Sequence, residues 1–383
     1  EIPSVEDITS GRARIDKLRP IAIEDLLGRD SVPPDSSLLG PGISDSIVCV
    51  TGAGGSIGSE LCRQIIKLQP QKLILFDHSE PNLYKINYEL KANNDNEISI
   101  LPILGNTLDE SLVQKVFKEN KVEVLFHAAA YKHVPLVEEN PLEGIKNNVV
   151  STNVICKMAD ANNLKQVIFI STDKAVRPTS VMGASKRLAE LVVHAYSEKS
   201  INNELISGET KTLFSMVRFG NVLGSSGSVV PLFRKQIAKG GPVTLTHQKM
   251  TRYFMTIKEA SQLVIQSGVL AKGGDVFLLD MGEPVSIKYL AQQMIKLSGF
   301  SVRDEENPDG DIEIISTGLR PGEKLYEELL IDAKSQPTIH PLIYRAKEEA
   351  TISPGDLWQE LQNLKYSIKY NDTKEALNIL EKL

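Results

Sequence analysis

A doubly wound α/β fold, with a parallel sheet covered on both faces and a smaller α/β lobe toward the C-terminus, is predicted by three features of this sequence. Short apolar runs alternate with helical patterns from residue 46 to about 225, as βαβ crossovers require. The runs are continuous rather than alternating, as expected of strands buried on both faces. Thr51-Gly52-Ala53-Gly54-Gly55-Ser56-Ile57-Gly58 then follows one such run and opens a helix.

Residues 1–45 read as a separate arm and linker. They carry mixed charge, then Pro, Ser and Gly, with a strand end and short helix expected over Ile21–Leu27. Strands are expected at 46–51, 72–77, 98–103, 122–127, 166–171 and 212–218. Residues 46–225 form the dinucleotide-binding domain, and 226–383 are assigned mainly to a substrate-binding lobe. Helices are expected near 229–239, 256–271, 286–298, 321–331 and 373–382, with 301–311 a solvated loop.

Composition narrows the function. With 41% hydrophobic and 24% charged residues the chain is ordinary globular protein. A net charge of −6 offers no general attraction to nucleic acid. No run approaches the roughly 18 apolar residues of a membrane span. The three cysteines, Cys49, Cys62 and Cys156, lie in strand and helix interiors without metal-site spacing, so buried thiols and no metal are expected. The chain starts at Glu1 rather than Met, which suggests a fragment lacking an upstream segment.

The glycine turn points to a dinucleotide. Gly52 permits the tight turn, Gly55 lets backbone approach a pyrophosphate, and Gly58 lets the helix pack against the strand. The helical pattern from Ser59 offers the unpaired N–H groups of its N-terminus to the anion, with Ser56 and Ile57 just before it among the expected cofactor contacts. Asp77 ends the second strand about twenty residues after Gly58, where a carboxylate accepts from ribose hydroxyls. That carboxylate repels a 2′-phosphate, so NAD is favoured over NADP.

Polar residues gather at the carboxyl ends of later strands, the edge where open α/β sheets bind ligands. His127-Ala128-Ala129-Ala130 ends the fourth strand with small residues against which a cofactor can lie, or which serve simple packing. Tyr131-Lys132-His133 follow. The fifth strand ends in Ser171-Thr172-Asp173-Lys174, a hydroxyl, an acid and an amine in succession; Asp173 and Lys174 could equally form a solvated pair. Met182 and Lys186 share one face of the next helix, being four apart.

These segments, with Arg218-Phe219-Gly220-Asn221-Val222-Leu223-Gly224-Ser225 and Arg320-Pro321-Gly322-Glu323-Lys324, resemble the extended short-chain dehydrogenases/reductases. Within them the chain is similar to the membrane-tethered nucleotide-sugar 4,6-dehydratases of bacterial polysaccharide and protein glycosylation. The nearest resemblance is to the type acting on UDP-N-acetylglucosamine in bacillosamine synthesis. The likeness covers residues 15–345, and the arm from Leu18 to Arg29 matches the tethered members. It implies a Rossmann-type doubly wound sheet with a C-terminal substrate lobe, NAD as cofactor, a UDP-sugar substrate and a homo-oligomer. It also implies a place on the cytoplasmic side of the bacterial inner membrane, reached through a segment absent here.

The resemblance further assigns roles. Asp173 is the acid for the C6 hydroxyl, Lys174 the base at C5, Thr172 a partner of the C4 oxygen, and Lys186 the holder of the nicotinamide ribose. Lys174 must be a neutral amine to act, so its pKa is expected to be depressed by burial and by Lys186. Asn106 stands where many relatives place an Asp facing adenine. Lys132, His133, Arg218 and Asn221 fall near the sugar and diphosphate; Val243, Thr244 and Leu245 along the uracil; Arg252 and Arg320 at the diphosphate, with Glu323 fixing Arg320 or a ribose hydroxyl. Met182 occupies the position of the usual Tyr, and a thioether has no ionisable proton. That favours the configuration-retaining dehydratases and leaves the C4 proton acceptor open, with Asp173 through Thr172 as one route. An inverting dehydratase, a UDP-sugar epimerase, a plain dehydrogenase and a non-catalytic NAD-binding regulator are the competing readings.

Overall fold

A computed structural model describes residues 32–94, 98–207, 212–328, 335–346 and 352–382. The N-terminal expectations, Ile21–Leu27 and the arm from Leu18 to Arg29, lie outside these residues. Six parallel strands form the core of the sheet: β1 (Ile47–Thr51), β2 (Lys72–Asp77), β3 (Ser99–Leu104), β4 (Val124–His127), β5 (Gln166–Ile170) and β6 (Leu213–Arg218). Their spatial order is β3-β2-β1-β4-β5-β6.

Alternate residues of each strand enter different cores, which explains the unbroken apolar runs. Cys49, Ile74, Leu125, Val167 and Phe214 face one side, with helices Ser151–Ala161 and Val181–Ser207 over them. Val48, Val50, Leu73, Leu75, Phe126 and Ile168 face the other, under helices Ser56–Lys67 and Ile257–Leu270. The strand order reverses between β1 and β4, which places a crevice beyond their carboxyl ends.

The chain after residue 225 serves two bodies. Strand Asp275–Leu279 pairs parallel with β6, and Ile343–Ala346 and Ser335–Pro337 extend the sheet antiparallel. Helices Pro354–Lys369 and Thr373–Lys382 supply Leu357, Leu361, Leu364 and Ile379 to the first core. The lobe has its own core, built from helices Val229–Ala238 and Ile287–Leu297 and strands Val243–Leu245 and Ile312–Ser316.

Three expectations need correction. Residues 321–328 are turn and coil rather than helix. Gly322 takes φ +74°, and the carbonyls of Lys324 and Leu325 accept from the Arg252 guanidinium instead of closing helical bonds. The helix Pro354–Lys369, capped by Ser353 accepting from Asp356 N–H, was not anticipated. Within 301–311, Val302–Arg303 form a short strand against Ile312–Glu313. No described helix is long and apolar enough to cross a membrane.

Candidate active site

The glycine turn is closed by contact with backbone. Gly52 adopts φ +66°, and a Cβ there would stand 2.8 Å from Ala129 Cα. A Cβ on Gly58 would overlap the Gly52 carbonyl, so the helix Ser56–Lys67 can start against the strand only through glycine. Gly55 caps that helix without a side-chain bond, leaving the first turn's N–H groups open to an anion. Asp77 is buried at the end of β2, accepting from Gly54 N–H and Ser79 N–H at 2.8 Å each. It lines one cleft with Gly52, Gly55, Ala128 and Ala129. A cradle that Cβ atoms would fill, a bare helix N-terminus and an acidic strand end together fit a dinucleotide.

Two cofactor expectations are modified. The Asn106 side-chain oxygen accepts from Leu108 N–H at 2.9 Å, shaping its own turn, and Gly105 and Thr107 line the cleft instead. Ser56 is tied to the far wall, its hydroxyl accepting from Ser226 N–H at 3.2 Å. Ile57 lines the next cleft, beside Met182 and Lys186.

That second cleft also holds Thr172, Lys174, Lys132, His133 and Asn221. Thr172 donates to Asp173 Oδ1 at 2.8 Å. Lys174 Nζ donates to Asp173 Oδ1 at 3.1 Å, Asn221 Oδ1 at 3.2 Å and Glu327 Oε1 at 2.7 Å. Burial opposes the charge on Asp173, yet Lys174 and its hydrogen bonds hold the carboxyl below its usual range. Lys174 departs from expectation. Burial pushes its pKa down, but Asp173 and Glu327 outweigh burial and raise it. The resting group is an ammonium.

Lys186, by contrast, is depressed. Burial lowers it to about 7 against the pull of Glu190. Its Nζ donates to Ile170 O at 2.7 Å and lies 3.8 Å over the Phe169 ring. Met182, 2% exposed, stands one turn before it. Lys132 and His133 are both lowered by burial, Lys132 further by Lys174 and His133 by Lys132. The segment is clamped by Asn148, whose side chain bonds Tyr131 N–H at 2.8 Å and Tyr131 O at 3.0 Å.

On the substrate side, several arginines turn inward. Arg218 is 2% exposed and does not reach the cleft; its Nε and Nη2 donate to Glu190 at 2.6 and 2.5 Å. β6 carries it into the sheet interior, where only a carboxylate makes the charge tolerable. Arg252 is also committed: it donates to Thr251 O, Leu325 O and Lys324 O, and Nε lies 3.1 Å from Glu327. It clamps the 323–327 segment rather than presenting a free fork. Val243 and Leu245 bury their side chains in the lobe core, and Thr244 bonds Gln236. Arg320 is exposed and lines a third cleft with Glu323, Lys132 and His133.

Glu190 and Glu327 were not anticipated. Glu190 lies in the helical pattern that follows Lys186, with no signal of its burial. Glu327 sits beside Glu328, and the sequence does not distinguish the two. Glu327 is 8% exposed while Glu328 reaches outward to Arg177.

A family described as polysaccharide biosynthesis protein matches residues 48–348. The capsular polysaccharide biosynthesis protein CapD of Staphylococcus aureus is 48% identical over 353 residues, 92% of this chain and 56% of that protein. The chain thus spans little more than half of that relative's length. The UDP-N-acetylglucosamine 4,6-dehydratase (inverting) of Campylobacter jejuni is 29% identical over 351 residues, 87% of this chain and 96% of that protein. Pen from Bacillus thuringiensis, solved by X-ray, aligns with a TM-score of 0.69 at 31% identity, covering 84% of this chain and 98% of its own. Solved structures at 19–20% identity that share the fold contain bound NAD. The chain belongs to the polysaccharide biosynthesis protein family and carries the extended short-chain dehydrogenase/reductase fold of nucleotide-sugar dehydratases and epimerases.

Proposed function

We propose that this chain is a UDP-N-acetylglucosamine 4,6-dehydratase that retains configuration at C5. The observation that carries the reading is the chain Thr172–Asp173–Lys174, joined by hydrogen bonds through the buried Asp173, whose two ends Thr172 and Lys174 line one cleft with Met182 and Lys186. An elimination needs an acid at one carbon and a base at its neighbour, and this chain supplies both within one turn. A 4-epimerase needs no such pair.

NAD, held by Gly52, Gly55, Ser56, Gly58, Asp77 and Lys186, would accept the C4 hydride and return it to C6. The remaining work is proton handling. Thr172 bonds the C4 hydroxyl and conducts its proton to Asp173 Oδ1, since Met182 cannot take it. The resulting ketone acidifies C5, where Lys174 as the free amine removes the proton. Asp173 then protonates the C6 hydroxyl, which leaves as water. Arg320, at the outer cleft, receives the diphosphate end, with Glu323 fixing Arg320 or a ribose hydroxyl and Lys132 and His133 between.

The test is incubation with UDP-N-acetylglucosamine in D₂O, followed by mass spectrometry and proton NMR. Loss of water, one deuterium at C5 and gluco configuration are expected. Inverted C5 would retain the dehydratase and remove the argument from Met182. Unchanged mass would move the chain to the epimerases, and simple oxidation to the dehydrogenases.

A further inference from the structure

Lys174 poses a problem for the proposed reaction. Its Nζ is ringed by three acceptors, Asp173 Oδ1, Asn221 Oδ1 and Glu327 Oε1, at 3.1, 3.2 and 2.7 Å. An ammonium has three N–H donors, so every one is matched and no lone pair is left for C5. The amine is freed only if one acceptor takes a proton. The Asn221 amide oxygen is too weak a base. Asp173 is engaged with the substrate through Thr172. Glu327 remains.

Its geometry suits the task. Glu327 Oε1 is ion-paired with Lys174 Nζ at 2.7 Å and with Arg252 Nε at 3.1 Å. Its second oxygen, Oε2, is buried with no donor, and so is Asp173 Oδ2. The two carboxyls share Lys174 as a partner, and the Asp173 charge disfavours ionisation of Glu327. Two buried carboxyls so coupled resist being ionised together, which favours Glu327 as a proton acceptor. We propose that Glu327 takes the ammonium proton from Lys174, so that the free amine appears only when the C4 proton has reached Asp173.

The inference rests on the dehydration proposed above, and its protons balance. At rest the triad holds one mobile proton, on Lys174, with Asp173 and Glu327 ionised. The C4 hydroxyl proton enters through Thr172 and neutralises Asp173. The Lys174 ammonium, having lost that counter-charge, passes its proton to Glu327. The amine takes the C5 proton. Asp173 gives its proton to the C6 hydroxyl as the C6–O bond breaks and water departs. Lys174 returns a proton to C5 as hydride reaches C6, then recovers its own from Glu327.

The groups facing Glu327 are Asp173 and Lys174 from the turn after β5, Arg252 from its strand, and Glu323 through Arg252. Burial raises the Glu327 carboxyl to about 7, with Lys174 and Arg252 opposing and Asp173 assisting. A group so poised can accept and release within one turnover.

The experiment combines carbon NMR of carboxyl-labelled glutamate in the wild-type protein with kinetics of Glu327→Gln and Glu327→Asp. The signal missing from E327Q is expected to titrate near neutral pH. At neutral pH E327Q is expected to lose about 10²-fold in kcat with little change in KM. It should recover toward alkaline pH, where Lys174 loses its proton unaided, and E327D, which keeps a carboxyl, should regain much of the rate. E327Q at wild-type turnover with an unchanged pH profile overturns the proposal. A Glu327 signal titrating with ordinary glutamates overturns it as well. Should the wild type leave nucleotide sugars unchanged, the dehydratase reading falls, and the carbon titration alone still decides whether Glu327 is a proton store.

Discussion

Glu190 and Arg218 form a two-pronged ion pair, 2.6 and 2.5 Å, in the interior behind Lys186. Arg187 and Ser171 complete the shell around Glu190. Glu190→Gln removes the carboxylate from a buried, two-pronged ion pair and is expected to cost about 3–5 kcal/mol. Urea unfolding reads this directly. Replacing both residues with apolar side chains should return much of the loss, because the pair's desolvation disappears with it. If Arg218→Met weakened nucleotide-sugar binding while leaving stability untouched, the interior assignment would fail.

Gly58→Ala tests the glycine cradle. The added Cβ meets the Gly52 carbonyl, which cannot move without displacing the turn. Overpacking of this kind costs about 1–3 kcal/mol. Calorimetric titration should show NAD affinity falling by at least about fivefold. An affinity equal to wild type would place the dinucleotide elsewhere.

Met182→Leu conserves volume and apolar character, at a cost below about 1.5 kcal/mol. Since no proton passes through this position in the proposed reaction, turnover should stay within a few-fold of wild type. Collapse of activity in M182L, with the fold intact by circular dichroism, would give the thioether a role that the proposed chemistry lacks.

Lys186 makes stability depend on pH in a definite direction. Burial lowers its folded pKa to about 7, while the unfolded value is about 10.4. Between these limits the unfolded chain binds the extra proton, so its contribution to stability rises with pH across that window. Below about 7 both states are protonated and the dependence vanishes. The stability difference between wild type and Lys186→Met should therefore climb from pH 7 toward 10, by up to about 1.4 kcal/mol per unit. A flat difference would mean that Lys186 keeps its ordinary pKa.

The six parallel strands, the glycine turn and Asp77 were legible because each is written in local pattern. Apolar runs ending in small or acidic residues are read without knowing what lies opposite. Thr172, Asp173, Lys174, Met182 and Lys186 likewise follow from a strand end and one helical turn; the cleft gathers all but Asp173, which lies buried behind Thr172 and Lys174. The sequence alone therefore determined the six parallel strands, the carboxyl edge at which ligands sit, and the residue types placed there; the strand order and the three further strands came from the fold.

Tertiary structure decided which charges face the cleft and which are buried. Arg218 and Arg252 are ordinary arginines in the sequence, yet one is sealed against Glu190 and the other spent on the carbonyls of Lys324 and Leu325. Glu327 and Glu328 are neighbours in the chain, but the absence of a helix over 321–328 turns the first toward Lys174 and the second to Arg177. The protonation of Lys174 follows from that turn, because a pKa depends on charges brought within a few ångströms by segments distant in sequence. Local pattern carries periodicity and residue type; the electrostatics of a buried amine belong to the assembled fold.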